Sequence, residues 1–283
     1  KINGEVRDIQ SEYDHDDEIS FIELNTSLGW RIYQRSLLFL FIVAVSNMNK
    51  EAEVVAKFTV NKGLYCEVKI PGKPINAHLI HDIEQEMREM IASNTPIVKH
   101  SIPRQEAIEL FQTRGKRGKA ALIASLPHSM ISIYTCRNYP DYLYGAMLPE
   151  TKLLGQFALD VEQSGVLIRT PDEMTDGKIR TRVEQPKFGH ILSEAKEWAK
   201  ILECPYISDL NQINTEHRMG ELIRISEALQ EKRIAQIADH IASHRNNIRL
   251  ILIAGPSSSG KTSFAQRLQI QLRVNGLHPI MIS

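Results

Sequence analysis

The run "LLFLFIVAV", Leu37 to Val45, is wholly apolar. A bilayer span needs about 20 such residues, so this run is too short to cross one. It also lies too deep in the chain for a signal peptide, and no cleavage signature follows it. Its length and pattern predict a buried helix, which needs a domain built around it. The chain has 283 residues, 42% of them hydrophobic, which is enough for a sizeable core and for one to three domains. Its 34 basic residues balance 34 acidic ones, which argues against bulk attraction to nucleic acid or membrane and leaves local patches. Cys66, Cys136 and Cys204 are widely separated and lack metal-ligand spacing. Their odd number suits a reducing compartment. A soluble, cytoplasmic protein is expected.

Residues 1–25 read as short strands and turns, with a turn at Asn3-Gly4 and a solvated acidic run, "EYDHDDE". A helical pattern covers about 29–49. "AKFTV" and "LYCEVKI" read as a hairpin joined through Asn61-Lys62-Gly63. Ile83, Met87, Met90 and Ile91 share one face of a following helix. "PRQEAIELFQTRG" carries a start signal in Pro103 and a stop signal in Gly115. "MISIYT" and "GQFALDVEQSGVLIRTP" supply further strands, the latter a hairpin around Ser164-Gly165. Residues 186–244 read as almost wholly helical, and 219–243 could be one long helix. The middle of the chain is therefore α+β.

Gly255-Pro-Ser-Ser-Ser-Gly-Lys-Thr262 matches G-x-x-x-x-G-K-[ST]. Average residue frequencies produce this pattern by chance in about 1% of chains this long, so context has to decide. The context agrees. Leu250 to Ala254 reads as a buried strand leading in, Phe264 to Leu272 as a helix leading out, and "HPIMIS" as a second parallel strand. In such a loop, backbone amides and a helix N-terminus hold the phosphates of ATP. The expected cradle is Gly255, Ser257, Ser258, Ser259, Gly260, Lys261, Thr262 and Ser263. Lys261 would neutralise transferring charge as the catalytic residue, and the Thr262 hydroxyl would ligate Mg²⁺.

Other candidates carry less. His240/His244 and His78/His81 have spacings that could bind a metal, but no third ligand is visible. "RGKRGK", Arg114 to Lys119, could touch RNA or phosphate, and Tyr139, Tyr142 and Tyr144 could stack on bases. Solvated and packed roles are the plainer readings of these residues.

"LIAGPSSSGKTSFAQRLQIQLRVNGLHPIMIS" resembles the start of the uridine kinase and phosphoribulokinase family. "NTSLGWRIYQRSLLFLFIVAV", "NYPDYLYGAMLPETKLLGQFAL" and "LQEKRIAQIADHI" look like a bacterial subfamily whose kinase follows a threonyl-tRNA synthetase-like region. That resemblance implies the tail of a TGS domain at 1–25 and an editing-domain-like α+β domain at 26–206. A helical linker would follow at 207–248, and the first β-α-β of a P-loop α/β kinase at 249–283. It also implies a fragment cut at both ends. The implied activity is transfer of the ATP γ-phosphate, with Mg²⁺, to a hydroxyl of a small molecule such as a nucleoside. The fragment itself would be inactive, its catalytic base lying beyond Ser283. A nucleotide-regulated RNA- or tRNA-binding module is the runner-up, and a dimerising structural region the third reading. The synthetase editing domain places an H-x-x-x-H pair on the helix like "RSLLFLFIVAV". Ser36 and Leu40 stand at the matching positions, so editing chemistry is not expected.

Overall fold

The computed structural model describes residues 1–282 except 10, 61–62, 163–164, 173–174, 176, 180 and 184–185, and does not describe the side chains of 186–190. The expected turn residues Asn61, Lys62 and Ser164 therefore lie outside the described residues. The chain divides into two compact units, Lys1–Gly189 and His190–Ser283.

The first unit is built around helix α1, Ser27–Met48. Thr26 starts it by accepting the Gly29 N–H on its hydroxyl at 3.0 Å, as a helix N-cap does. Leu37, Phe39, Leu40, Phe41, Val43, Ala44 and Val45 are completely buried. By length and composition α1 could cross a membrane, yet 61% of its apolar window is buried within the protein.

Two antiparallel sheets and their helices bury it. Strands β1 (Glu53–Val60), β2 (Gly63–Lys69), β6 (Ala158–Glu162) and β7 (Gly165–Arg169) form a sheet in the order β1-β2-β7-β6. The β1/β2 hairpin pairs Glu53 with Lys69 at one end and Val60 with Gly63 at the other. Helix α2 (Ala77–Ala92) packs Leu79, Ile80, Ile83, Met87 and Met90 into the core shared by α1 and this sheet. These residues recur at helical spacing, which gives α2 one apolar face.

The second sheet orders β3 (Ile97–Pro103), β4 (Met130–Cys136) and β5 (Tyr139–Asp141), again antiparallel. Helices α3 (Arg104–Thr113) and α4 (Arg117–Ala124) cover it through Ala107, Phe111, Ala120 and Ile123, against Ile131 and Ile133. At the N-terminus, Asn3 and Gly4 turn with φ of 51° and 80°, closing the bridge from Ile2 to Glu5.

The second unit contains α5 (Pro186–Ile201), α6 (Ile207–Thr215), α7 (Met219–Ser243) and α8 (Lys261–Val274). Its core joins Ile234, Ala238 and Ile241 of α7 to Leu268 and Leu272 of α8. Of the apolar residues that repeat along α7, Ile223 and Ile225 remain exposed.

The mixed α+β architecture stands, but the expected β-α-β unit does not form. Residues 250–254 and 278–282 are not strands, and Leu252, Ile280 and Ile282 are 83%, 89% and 91% exposed. Parallel strands are stable when neighbours pair with them and helices cover both faces. Among the described residues no strand pairs with either run.

Truncating Leu40 to Ala should cost about 2–5 kcal/mol, because the void lies in a closed core. The same change at exposed Ile223 should stay within about 0.5 kcal/mol. Urea unfolding of the two variants separates these outcomes, and an unmoved midpoint for Leu40→Ala would remove α1 from the centre of the fold.

Candidate functional site

The glycine-rich loop at 255–260 enters α8 directly, with Gly260 as its N-cap at φ +79°. That left-handed conformation penalises any residue with a β-carbon. Ser258 is also left-handed, at φ +60°. Two reversals within three residues curl the loop back on itself, closed by Ser259 N–H to Pro256 O at 3.3 Å. The Lys261 ammonium reaches across the bend and donates to Pro256 O at 2.7 Å. Gly255, Ser257, Ser258, Ser259, Gly260, Thr262 and Ser263 are all exposed. The structure thus brings the predicted cradle together at a helix N-terminus, whose first N–H groups have no intrahelical acceptors. One lysine amine, one free threonine hydroxyl and that amide cluster suit a phosphate chain. Mg²⁺ would take Thr262 as one ligand and its remaining ligands from phosphate and water.

The basic stretch at 114–119 is largely used within the fold. Lys116 donates to Ala52 O at 2.8 Å, and burial holds its pKa below the usual lysine range. Lys119 pairs with the buried Asp141, whose Oδ1 also accepts the Tyr142 N–H at 2.7 Å. Arg114 and Arg117 remain exposed. The tyrosines divide similarly. Tyr139 and Tyr142 are partly buried and raised in pKa, chiefly by desolvation. Tyr144 is 86% exposed.

Tyr144 belongs to a cleft that the sequence reading missed. It has a volume of about 340 Å³ and lies between the first turns of α1, the β1-β2-β7 face and the segment 143–144. Arg31, Gln34, Arg35 and Leu38 supply its helical wall. These positions share one face of α1 because residues three and four apart on a helix are neighbours. Thr59, Leu64, Ile168 and Thr170 supply the sheet wall, and Leu143 and Tyr144 the lip.

The lip is held in place by hydrogen bonds. Arg35 donates to Ala146 O at 2.6 Å. Gly145, at φ +93°, lies under the same guanidinium, and a β-carbon there would meet Arg35 Cζ at 2.8 Å. Tyr134 donates its hydroxyl to Gly145 O at 2.8 Å, and Leu148 N–H donates to Ser36 Oγ at 2.8 Å. Burial and the nearby Asp8 carboxylate push the Tyr134 phenol well above its ordinary pKa, so it stays a donor. A pair of arginines four apart, at the head of an otherwise apolar helix, was the sequence signal for this cleft.

The editing-type positions point elsewhere. Ser36 is buried and donates to Ile32 O at 2.8 Å while accepting from Leu148, and Leu40 is sealed in the core. Neither can bind a metal or activate water. His240 and His244 stack with ring centroids 4.4 Å apart, and His244 Nδ1 lies 2.9 Å from the His240 carbonyl at the end of α7. Among the described residues no cluster of three or more His, Cys, Asp or Glu side chains assembles.

Comparison with known proteins finds similarity over part of the chain. No family model matches the chain. The similarity is to threonyl-tRNA synthetases. The threonine–tRNA ligase of Paraburkholderia xenovorans is 28% identical over 204 residues, 70% of this chain and 32% of that protein. The Aquifex aeolicus enzyme is 29% identical over 161 residues, and the Acidithiobacillus ferrooxidans enzyme 25% identical over 160. Each of these two matches covers 56% of this chain and 25% of the relative. The chain thus spans a quarter to a third of the length of the curated relatives it matches, and it resembles their N-terminal region.

These relatives overturn the expectation of a uridine kinase- or phosphoribulokinase-like phosphotransferase. They are ligases that act on tRNA, and the β-α-β frame such a kinase would need is not built around α8. The small-molecule hydroxyl acceptor expected with the kinase has no support either.

Burial pushes the thiols of Cys66 and Cys136 up to about 12 and about 11, so neither supplies a thiolate near neutrality. Cys204 is only partly buried. Brief iodoacetamide treatment of the native protein at about pH 8 should label Cys204 first, with the other two reacting only after denaturation. Peptide mass mapping checks this. Early labelling of Cys66 would contradict the packing of β2.

Proposed function

We propose that this chain is an RNA-directed, synthetase-like module, and that the α1 cleft receives a single-stranded nucleotide end of tRNA. The observation that carries this reading is the match of 160 to 204 residues to threonine–tRNA ligases. The cleft adds suitable chemistry. Single-stranded RNA is recognised by aromatic and guanidinium planes that stack on bases, and by hydrogen-bonding groups at their edges. Tyr144, Arg31, Arg35 and Gln34 provide those groups around one concavity. Such a role is cytoplasmic. Hydrolytic editing is not part of the proposal, because Ser36 and Leu40 are structural.

The loop at Gly255–Ser263 is proposed to hold the phosphates of a nucleotide such as ATP. Lys261 would balance their charge and Thr262 would face the accompanying Mg²⁺. In this reading the nucleotide is bound at a site of its own and is no phosphate donor to a small molecule.

Filter binding of the full chain to deacylated tRNA, across a salt series, tests the proposal. Affinity should fall linearly on a log–log plot as salt rises. Tyr144→Ala should weaken tRNA binding about 5- to 100-fold, the loss of one base–aromatic stack. Lys261→Ala should leave tRNA binding intact while weakening a fluorescent ATP analogue about tenfold or more. Affinity for tRNA no better than for duplex DNA would reject the RNA-directed reading.

A further inference from the structure

We propose that Tyr134 is a positioning residue that works as a two-way hydrogen-bond switch, its one hydroxyl proton contested by Asp8 of the N-terminal segment and Gly145 of the cleft lip. The switch does not depend on what the cleft receives. Only its consequence for Tyr144 draws on the RNA-directed reading.

The β3/β4 register assembles the parts. Lys99 and Tyr134 are direct partners in that ladder, so their side chains share one face of the sheet. The Lys99 ammonium lies 5.9 Å from the centre of the Tyr134 ring. Asp8 meets this pair from a segment folded on itself, in which Asn3 N–H donates to Glu18 O at 2.9 Å and Glu18 N–H to Asn3 Oδ1 at 2.9 Å. Asp8 Oδ2 accepts from Lys99 Nζ at 2.7 Å, and Oδ1 lies 3.0 Å from the Tyr134 hydroxyl oxygen. Oδ1 also faces the Met147 N–H at 3.4 Å, a long contact. Gly145 O lies 2.8 Å from the same tyrosine hydroxyl.

A phenol has one proton to give, and a carboxylate and a backbone carbonyl are both acceptors. Tyr134 therefore serves one of them at a time. The two demands are close to balance. The carbonyl is nearer, but hydrogen bonds to a charged acceptor are the stronger kind. Burial and the Asp8 carboxylate hold the phenol above its ordinary pKa, so the proton is not lost to solvent.

Each choice has a structural consequence. A proton turned to Gly145 fixes the peptide plane next to Tyr144, and Asp8 keeps Lys99 and Met147. A proton turned to Asp8 gives the N-terminal segment a third tie and releases the Gly145 carbonyl. The lip is then held by Arg35 on Ala146 O at 2.6 Å and by Ser36 on the Leu148 N–H at 2.8 Å. Gly145 turns readily in response, because it already lies at φ +93°, where a residue with a β-carbon is strained. Seating of the segment and fixing of Tyr144 thus oppose each other, and a ligand that fixes the lip draws the proton away from Asp8.

Amide hydrogen exchange of the full chain, read by mass spectrometry on peptides that cover 143–148, decides it without any ligand. The first variant is Asp8→Asn. An asparagine amide keeps an oxygen for Lys99 and turns an N–H toward the Tyr134 oxygen, which frees the phenol proton for Gly145. Lip exchange should slow about 2- to 10-fold, the worth of one hydrogen bond. An Asp8 that only anchors the segment predicts the opposite sign, because this variant weakens the pairing with Lys99. Asp8→Ala also ends the contest and should slow lip exchange. Tyr134→Phe removes the proton itself and should speed it by a similar factor. Misfolding cannot imitate slower exchange, so a destabilised Asp8 variant is not mistaken for success.

Lip exchange that is unchanged or faster in both Asp8 variants, or unchanged in Tyr134→Phe, overturns the switch. Failure of the RNA-directed reading looks different. Saturating tRNA would then leave lip exchange in the wild type unaltered, while the Asp8 variants still slow it.

Discussion

Burial of one helix on nearly every side constrains everything in the first unit. From Leu37 to Val45, α1 offers no polar surface with which to meet water, so sheet and helix have to cover it. The antiparallel β1-β2-β7-β6 sheet and α2 do so, and both segregate their apolar side chains toward α1. Because the helix is closed in at its C-terminal half, its first turns are fixed in direction. That rigidity lets residues 31, 34, 35 and 38 act as one wall of a cleft.

Three polar side chains of α1 tie it to the segments around residues 145–156. Ser36 Oγ accepts from Leu148, Tyr33 donates to Gln156 O at 2.8 Å and accepts from Gln156 N, and Arg35 donates to Ala146 O. A buried hydroxyl that both donates and accepts has met its hydrogen-bonding needs, so it stabilises one arrangement instead of costing desolvation. The lip bearing Tyr144 is therefore positioned by the same residues that seat the helix. Fold and candidate site are not separable here: loosening the lip exposes Ser36, and loosening α1 releases the lip.

Local pattern was legible in the sequence where it was strong and self-contained. The buried helix, the hairpin of β1 and β2, the face of α2 and the start and stop of α3 all follow from periodicity and from Pro103 and Gly115. The curl of the phosphate-type loop followed from Gly255 and Gly260. The pairing of Leu250 to Ala254 could not be read, because an apolar run shows a wish for burial but not what buries it. The cleft was missed for a related reason. Arg31 and Arg35 look like ordinary surface cations until the sheet face bearing Thr59 and Ile168 arrives from far along the chain. "RGKRGK" misled in the opposite direction, since its lysines are drawn inward by Ala52 O and Asp141.

The groups that line the cleft also limit its chemistry. A general acid or base needs a group that changes protonation during the reaction and sits within hydrogen-bond reach of the reacting atom. Arginine does not deprotonate in proteins, glutamine and threonine do not titrate in the working range, and among the described residues no histidine, cysteine or carboxylate lines the cleft. The helix positions that resemble a metal-type pair have turned into packing and a backbone tether. What remains is a concavity with two guanidinium groups, one phenol and apolar walls. A receptor is the consistent reading of such a site.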